Sequence, residues 1–254
     1  MNLRWMAISA ALAGAVVTAG ACGSEPEPVC VVARAVSDSS TGSFATTYQL
    51  KQGQNPDQVC ARLKPEAVGL QKYFSQAPEA PDTVGVRSTR LGQLLRDFAK
   101  RLPAGASDTA TAVGPFTSET PAADHFCSVT ELTPTRLQVP QSTAPDGGVL
   151  PAQDFGYTWS NLRIYNTPEI PGTQYTSDLT YTENGCTAEY TVKGIWPVVS
   201  CRGSDAGPDE ARCDPYADPD AGRLRGSGIN PLFPVKCDPD ALICVLTGEV
   251  PSAP

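Results

Sequence analysis

Residues 175–196 read YTSDLTYTENGCTAEYTVKGIW, and within them apolar and polar positions alternate on either side of Asn184-Gly185. That dipeptide is the strongest short hairpin signal, because both central residues of a type I′ turn need positive φ. With those two residues as the loop, Glu183 faces Cys186, Tyr181 faces Ala188, Leu179 faces Tyr190, Ser177 faces Val192 and Tyr175 faces Gly194. The opposite face pairs Thr182 with Thr187, Thr180 with Glu189, Asp178 with Thr191 and Thr176 with Lys193. One face is largely apolar and the other polar. A slip of one residue would destroy that agreement, so the pattern predicts the register as well as the strands. Tyr175 over Gly194 predicts an aromatic ring covering a bare backbone position.

The same alternation, more weakly marked, predicts strands over residues 44–50, 68–74, 83–87, 157–165 and 241–246. Residues 30–36 and 44–50 flank the turn cluster 37–42 and read as a second hairpin. The period changes to helical in RLGQLLRDFAKRLP. There Leu91, Leu94, Leu95, Phe98 and Leu102 fall on one face, Ser88 or Thr89 can cap, and Pro103 can stop the helix. A single apolar-faced helix beside many strands predicts a helix packed on the sheet. The expected fold is mostly β: an antiparallel barrel or sandwich of about eight strands with one short helix.

Residues 1–21 break with this pattern. Arg4 precedes the uncharged run AISAALAGAVVTAGA, which ends in small residues, as a cleaved signal peptide does. Ala19-Gly20-Ala21 before Cys22 fits both a simple A-x-A site and a bacterial lipobox, with Ala19 where a lipobox usually has Leu. The chain has nine cysteines. Setting Cys22 aside leaves Cys30, Cys60, Cys127, Cys186, Cys201, Cys213, Cys237 and Cys244, an even set that in an exported chain predicts four disulfides. Lipidation explains the odd one. The expected organisation is therefore a cleaved leader (1–21), a lipidated N-terminus with a short Pro-rich tether (22–28), and a single β-rich domain (29–254). Three of the eight cysteines precede the Pro/Gly-rich stretch 139–153 and five follow it, so complete pairing needs at least one bridge between the halves.

The formal charge is -8 and the sequence pI about 4.7. Such a chain repels phosphate backbones, which argues against nucleic acid as a partner. Chemistry is sparse. The lone His125 sits two residues from Cys127, which the disulfide set requires, and no G-x-S-x-G elbow accompanies it. There is no C-x-x-C, H-E-x-x-H, P-loop or dinucleotide fingerprint. No catalytic residue, metal or cofactor is expected, and the protein reads as not an enzyme. Glu183 and Glu189 lie on opposite hairpin faces, which disfavours a carboxylate pair for glycoside hydrolysis. Asp214, Asp218 and Asp220, with the backbone near Gly222, offer oxygens for calcium but lack EF-hand spacing, so a solvated acidic loop is the plainer reading. Tyr157, Trp159 and Tyr165 share a strand face with Arg163; core packing is expected, with a ligand face as the alternative.

The strings at residues 178–201 (DLTYTENGCTAEYTVKGIWPVVSC) and 226–246 (GSGINPLFPVKCDPDALICVL), with GLQKYFS around Lys72 and DHFC at 124–127, resemble the myxobacterial lipoproteins of the MlpA type. The resemblance implies a lipid-anchored protein of the outer membrane, with no biochemical activity to carry over and no catalytic residue to transfer. The expected function is a non-enzymatic binding or structural role in the bacterial envelope, with the membrane as a partner through the lipid and an envelope protein or small apolar ligand as a further one. The alternative is a lipocalin-like carrier of a small apolar ligand, and a third reading is an envelope hydrolase using carboxylates.

Overall fold

The computed structural model describes residues 28–34, 42–77, 79–107 and 109–252. The leader, Cys22 and most of the tether lie outside the described residues. The chain runs β1 (Gly42–Leu50), β2 (Glu66–Tyr73), β3 (Thr83–Ser88), α1 (Thr89–Asp97), β4 (Ala112–Pro115), β5 (Phe126–Glu131), β6 (Thr135–Val139), β7 (Ser142–Thr143), β8 (Val149–Leu150), β9 (Gln153–Asn166), β10 (Pro171–Glu183), β11 (Cys186–Ile195), β12 (Val235–Cys237) and β13 (Cys244–Leu246). Nine strands make one antiparallel sheet in the order β4-β3-β2-β1-β11-β10-β9-β5, with β6 also paired to β9; β7 with β8 and β12 with β13 are separate ribbons.

The β10–β11 hairpin has the register its alternation dictates, from Glu183 opposite Cys186 to Tyr175 opposite Gly194. Asn184 and Gly185 both have positive φ (50° and 86°), as the turn requires. A Cβ on Gly194 would lie 2.1 Å from Tyr175 Cε1, so the ring occupies the space a side chain would need.

The sheet curls until its two ends meet. Thr117 donates its N–H to Ser128 O (2.9 Å) and Thr133 to Val113 O (2.9 Å), linking the margins of β4 and β5. A Cβ on Gly114 would stand 2.3 Å from Glu131 O, so only glycine permits this approach. The two edges are bridged without a ladder. The expected antiparallel β fold is thus one curled sheet that does not close into a barrel, since no ladder joins β4 to β5. One face of the sheet encloses the main core, with Phe44, Val68, Leu70, Val84, Val129, Tyr157, Leu179 and Tyr190 at 1% exposure or less.

α1 is capped by Ser88, whose hydroxyl accepts from Leu91 N–H at 3.1 Å. Leu91 is buried, and Leu94, Leu95, Phe98 and Leu102 pack on the main core, as the helical spacing predicts. The helix ends at Asp97 rather than running to Pro103, and tight turns carry the chain on through Arg101 N–H to Phe98 O.

Three expectations change. The expected strand at 30–36 makes no ladder with β1. Instead Val31 is clasped by Asn166, whose Oδ1 accepts Val31 N–H (3.1 Å) and whose Nδ2 donates to Val31 O (3.2 Å). Residues 35 and 36 lie outside the described residues. The stretch 112–139 holds three strands that the alternation did not reveal. Finally, β9 carries a bulge: Ser160 pairs with Asp178 but Arg163 with Thr176, so an extra residue enters at Asn161, which has φ 50°. The bulge turns the strand over. Tyr157 and Trp159 face the main core, whereas Tyr165 faces a second core on the other side of the sheet. Their expected shared face does not form.

The second core is built by residues 196–252. Cys201, Cys213, Ile229, Phe233, Cys244 and Leu246 pack against Ala45, Phe126, Tyr165, Ile170 and Ile195 on the outer face of the sheet.

Candidate functional site

All eight cysteines named above are paired: Cys30–Cys127, Cys60–Cys186, Cys201–Cys237 and Cys213–Cys244. Cys60–Cys186 is the bridge between the halves that the odd counts require. The last two bridges staple the C-terminal segment into a cap. Cys201, Cys213 and Cys244 have sulfurs within 4.8 Å of one another, but as disulfide sulfurs they have no thiolate to offer a metal.

Cys127 is likewise committed to its bridge, so His125 has no thiol to activate. The imidazole stands edge-on to Tyr165, with ring centroids 6.1 Å apart. In the acidic loop, Arg223 reaches Asp218 (3.3 Å) and Asp214 (3.4 Å), so a guanidinium occupies the position a cation would take. Glu183 accepts from Tyr181 (2.8 Å) and Arg90 (3.4 Å) at the rim of the main core, while Glu189 is exposed on the other face.

The densest polar arrangement lies inside the curled sheet. Glu66 opposes Thr46 across β1 and β2, on the same face as Val68 and Leu70, and so points inward. Its carboxylate accepts from Tyr48 (2.7 Å), from Ser88 (2.9 and 3.1 Å) and from Arg90 N–H (2.6 Å). Burial pushes the Glu66 carboxyl above its ordinary range, and these hydrogen bonds oppose that shift. Burial, and then the charge of Glu66, push the Tyr48 phenol well up.

Around this carboxylate stand five inward tyrosines. Tyr175 exchanges a hydrogen bond with Thr46 (2.8 Å), Tyr190 donates to Cys60 O (2.5 Å), and Tyr48 and Tyr181 serve Glu66 and Glu183. Tyr157 is wholly buried between Trp159 and Tyr181, and among the described residues its hydroxyl makes no hydrogen bond within 3.5 Å. A groove of about 380 Å³ opens at Glu66, between Arg62, Lys64, the first turn of α1 and Ile243. Sequence reasoning missed Glu66. Its signal was an acid in step with Val68 and Leu70 on an otherwise apolar strand face.

The molecule is therefore a disulfide-stapled antiparallel β protein with a tyrosine-filled interior and a C-terminal cap. The model of the MlpA family matches residues 42–197, which takes in the whole nine-stranded sheet and ends before the cap. The protein called "Putative lipoprotein MlpA" in Myxococcus xanthus is 30% identical over 243 residues, covering 90% of this chain and 89% of that one. This chain belongs to the MlpA family. No solved structure matches it.

Proposed function

We propose that this is an envelope lipoprotein, anchored to the outer membrane through Cys22, whose folded body has a non-enzymatic binding or structural role. The observation that carries this reading is the cysteine pairing. Eight of nine cysteines are consumed in four disulfides, which supports an oxidising compartment. The ninth, Cys22, follows two small residues at the end of an uncharged leader. The family relative's printed name supports the same anchor. Among the described residues no helix is long and apolar enough to cross a membrane. Several acyl chains hold far more firmly than the marginal binding of one.

The non-enzymatic reading rests on the committed state of the reactive side chains. Cys127 is in a disulfide, and Asp214 and Asp218 share Arg223. The lipocalin-like alternative would need space where Tyr157 (0% exposed) and Trp159 (2%) now fill the interior. The test is fractionation in the native host. The wild-type protein should sediment with membranes and a Cys22→Ser variant should appear in the soluble exported fraction. A Cys22→Ser protein that still sediments with membranes would refute the anchor.

A further inference from the structure

The outer face of β2 and β3 carries a second concavity, of about 450 Å³, beside α1. It lies across the sheet from the tyrosine core and meets the Glu66 site at Ser88 and Thr89, where α1 begins. Its floor is bare. Gly69 pairs with Ser43 on one side and Arg87 on the other, and Gly85 pairs with Gln71 in the next row. The exposed Tyr73 ring lies over Gly85, where a Cβ would meet Tyr73 Cε2 at 2.9 Å. Two guanidiniums, from Arg87 on β3 and Arg96 on α1, flank Gly92.

Both arginines lack a carboxylate partner among the described residues. This chain carries 27 acidic residues against 19 basic ones. Arg90, Arg136, Arg163, Arg212 and Arg223 each pair with a carboxylate. Neither the Arg87 nor the Arg96 side chain makes an ion pair or hydrogen bond among the described residues, and no described Asp or Glu lines the concavity. Two like charges held near each other without a counter-charge are mutually repulsive unless an anion joins them.

Gly92 adds an independent argument. A glycine inside a helix costs about 1 kcal/mol relative to alanine. Nothing in the packing demands it here. A Cβ at position 92 would meet Arg96 Nη1 at 3.8 Å and Arg87 Nε and Nη2 at 4.0 Å, which is ordinary contact, and its φ is not in the left-handed region. What an alanine would take is the space between the two guanidiniums.

We infer that this concavity binds a saccharide bearing an anionic group, a carboxylate or a phosphate, held between Arg87 and Arg96. Guanidinium forks match the geometry of either anion. The Tyr73 ring offers a flat apolar face to a sugar ring, and the Gln71 amide with the Thr89 and Thr111 hydroxyls supplies hydrogen bonds for its hydroxyls. This site does not depend on the lipid anchor.

The test is calorimetric titration of the full protein, solubilised from its membrane at low salt, with glucuronate, glucose 6-phosphate, glucose and inorganic phosphate. At least one anionic sugar should bind and glucose should not; which one binds tells carboxylate from phosphate. Arg87→Gln and Arg96→Gln should each weaken binding at least tenfold. Gly92→Ala should weaken binding while raising the melting temperature, a combination that a merely structural glycine would not give. The inference is overturned if neither anionic sugar binds, if glucose binds equally well, if inorganic phosphate matches glucose 6-phosphate, or if both arginine variants bind like wild type.

Discussion

Among the inward tyrosines, the hydroxyls are not equivalent. Four have partners and the fifth, on Tyr157, has none among the described residues although the residue is wholly buried. A buried polar group left unpaired costs about 1–3 kcal/mol, whereas a made hydrogen bond contributes about 0.5–1.5 kcal/mol. Tyr157→Phe is therefore expected to be neutral or stabilising, and Tyr175→Phe, which breaks the bond to Thr46, to destabilise by about 1 kcal/mol. Urea denaturation of the two variants checks this; a Tyr157→Phe loss as large as that of Tyr175→Phe would show that the hydroxyl has a partner. Glu66 supplies a pH-dependent counterpart. Its pKa is raised in the folded protein by burial, so its contribution is fully present below its ordinary value of 4.5 and is lost as pH rises through the folded value. Asp82, beside Lys72, and Asp154, beside Arg136, are lowered and act in the opposite sense: their stabilisation is present above 3.8 and lost as pH falls. Melting temperatures of wild type and Glu66→Gln, followed from about pH 4.5 to 7.5, should diverge, with wild type falling more steeply toward neutral pH. Parallel curves would contradict the assignment.

At the scale of elements, the β10–β11 hairpin is the part whose register matters most, because both its strands and their neighbours line the main core. Gly194→Ala would drive a methyl into the Tyr175 ring. Overpacking of this kind costs about 1–3 kcal/mol, and the variant should lose that much stability in a denaturant titration. A silent substitution would mean that the ring does not sit over the glycine. This hairpin was legible from sequence because two signals agree: Asn184-Gly185 fixes the turn, and the alternation fixes which side faces inward. α1 was legible for a similar reason, a capping serine followed by leucines at helical spacing. The bulge at Asn161 was not. One inserted residue leaves composition and mean alternation almost unchanged, yet it reverses every side chain beyond it and sends Tyr165 to the opposite face from Tyr157 and Trp159. The strands within 112–139 were hidden by their shortness. The N-terminal segment misled because its valines read as a strand, whereas Asn166, more than a hundred residues away, holds it by side-chain bonds that no local pattern announces.

For the whole molecule, the disulfides do what the curled sheet does not. The sheet margins meet through two backbone bonds and two side-chain bonds rather than a ladder, and the C-terminal cap contributes few strand hydrogen bonds to the sheet. Cys30–Cys127 ties the N-terminal segment to β5, Cys60–Cys186 ties the turn before β2 to the start of β11, and the remaining pair closes the cap. Replacing Cys60 and Cys186 together by alanine removes a link across 126 residues of chain. A loss of about 2–5 kcal/mol is expected, read as a lower urea midpoint, and a midpoint unchanged from wild type would show that the halves need no staple. The cysteine parity that predicted this framework also singled out Cys22 as the mature anchor. The decisive measurement is the mass of the N-terminal peptide of the protein taken from its own membrane and digested without reduction. The expected result is a peptide beginning at Cys22 and carrying the added mass of acyl chains, with the other eight cysteines unreactive to alkylation. A peptide running unprocessed through residue 22, or a bare thiol there, would contradict it.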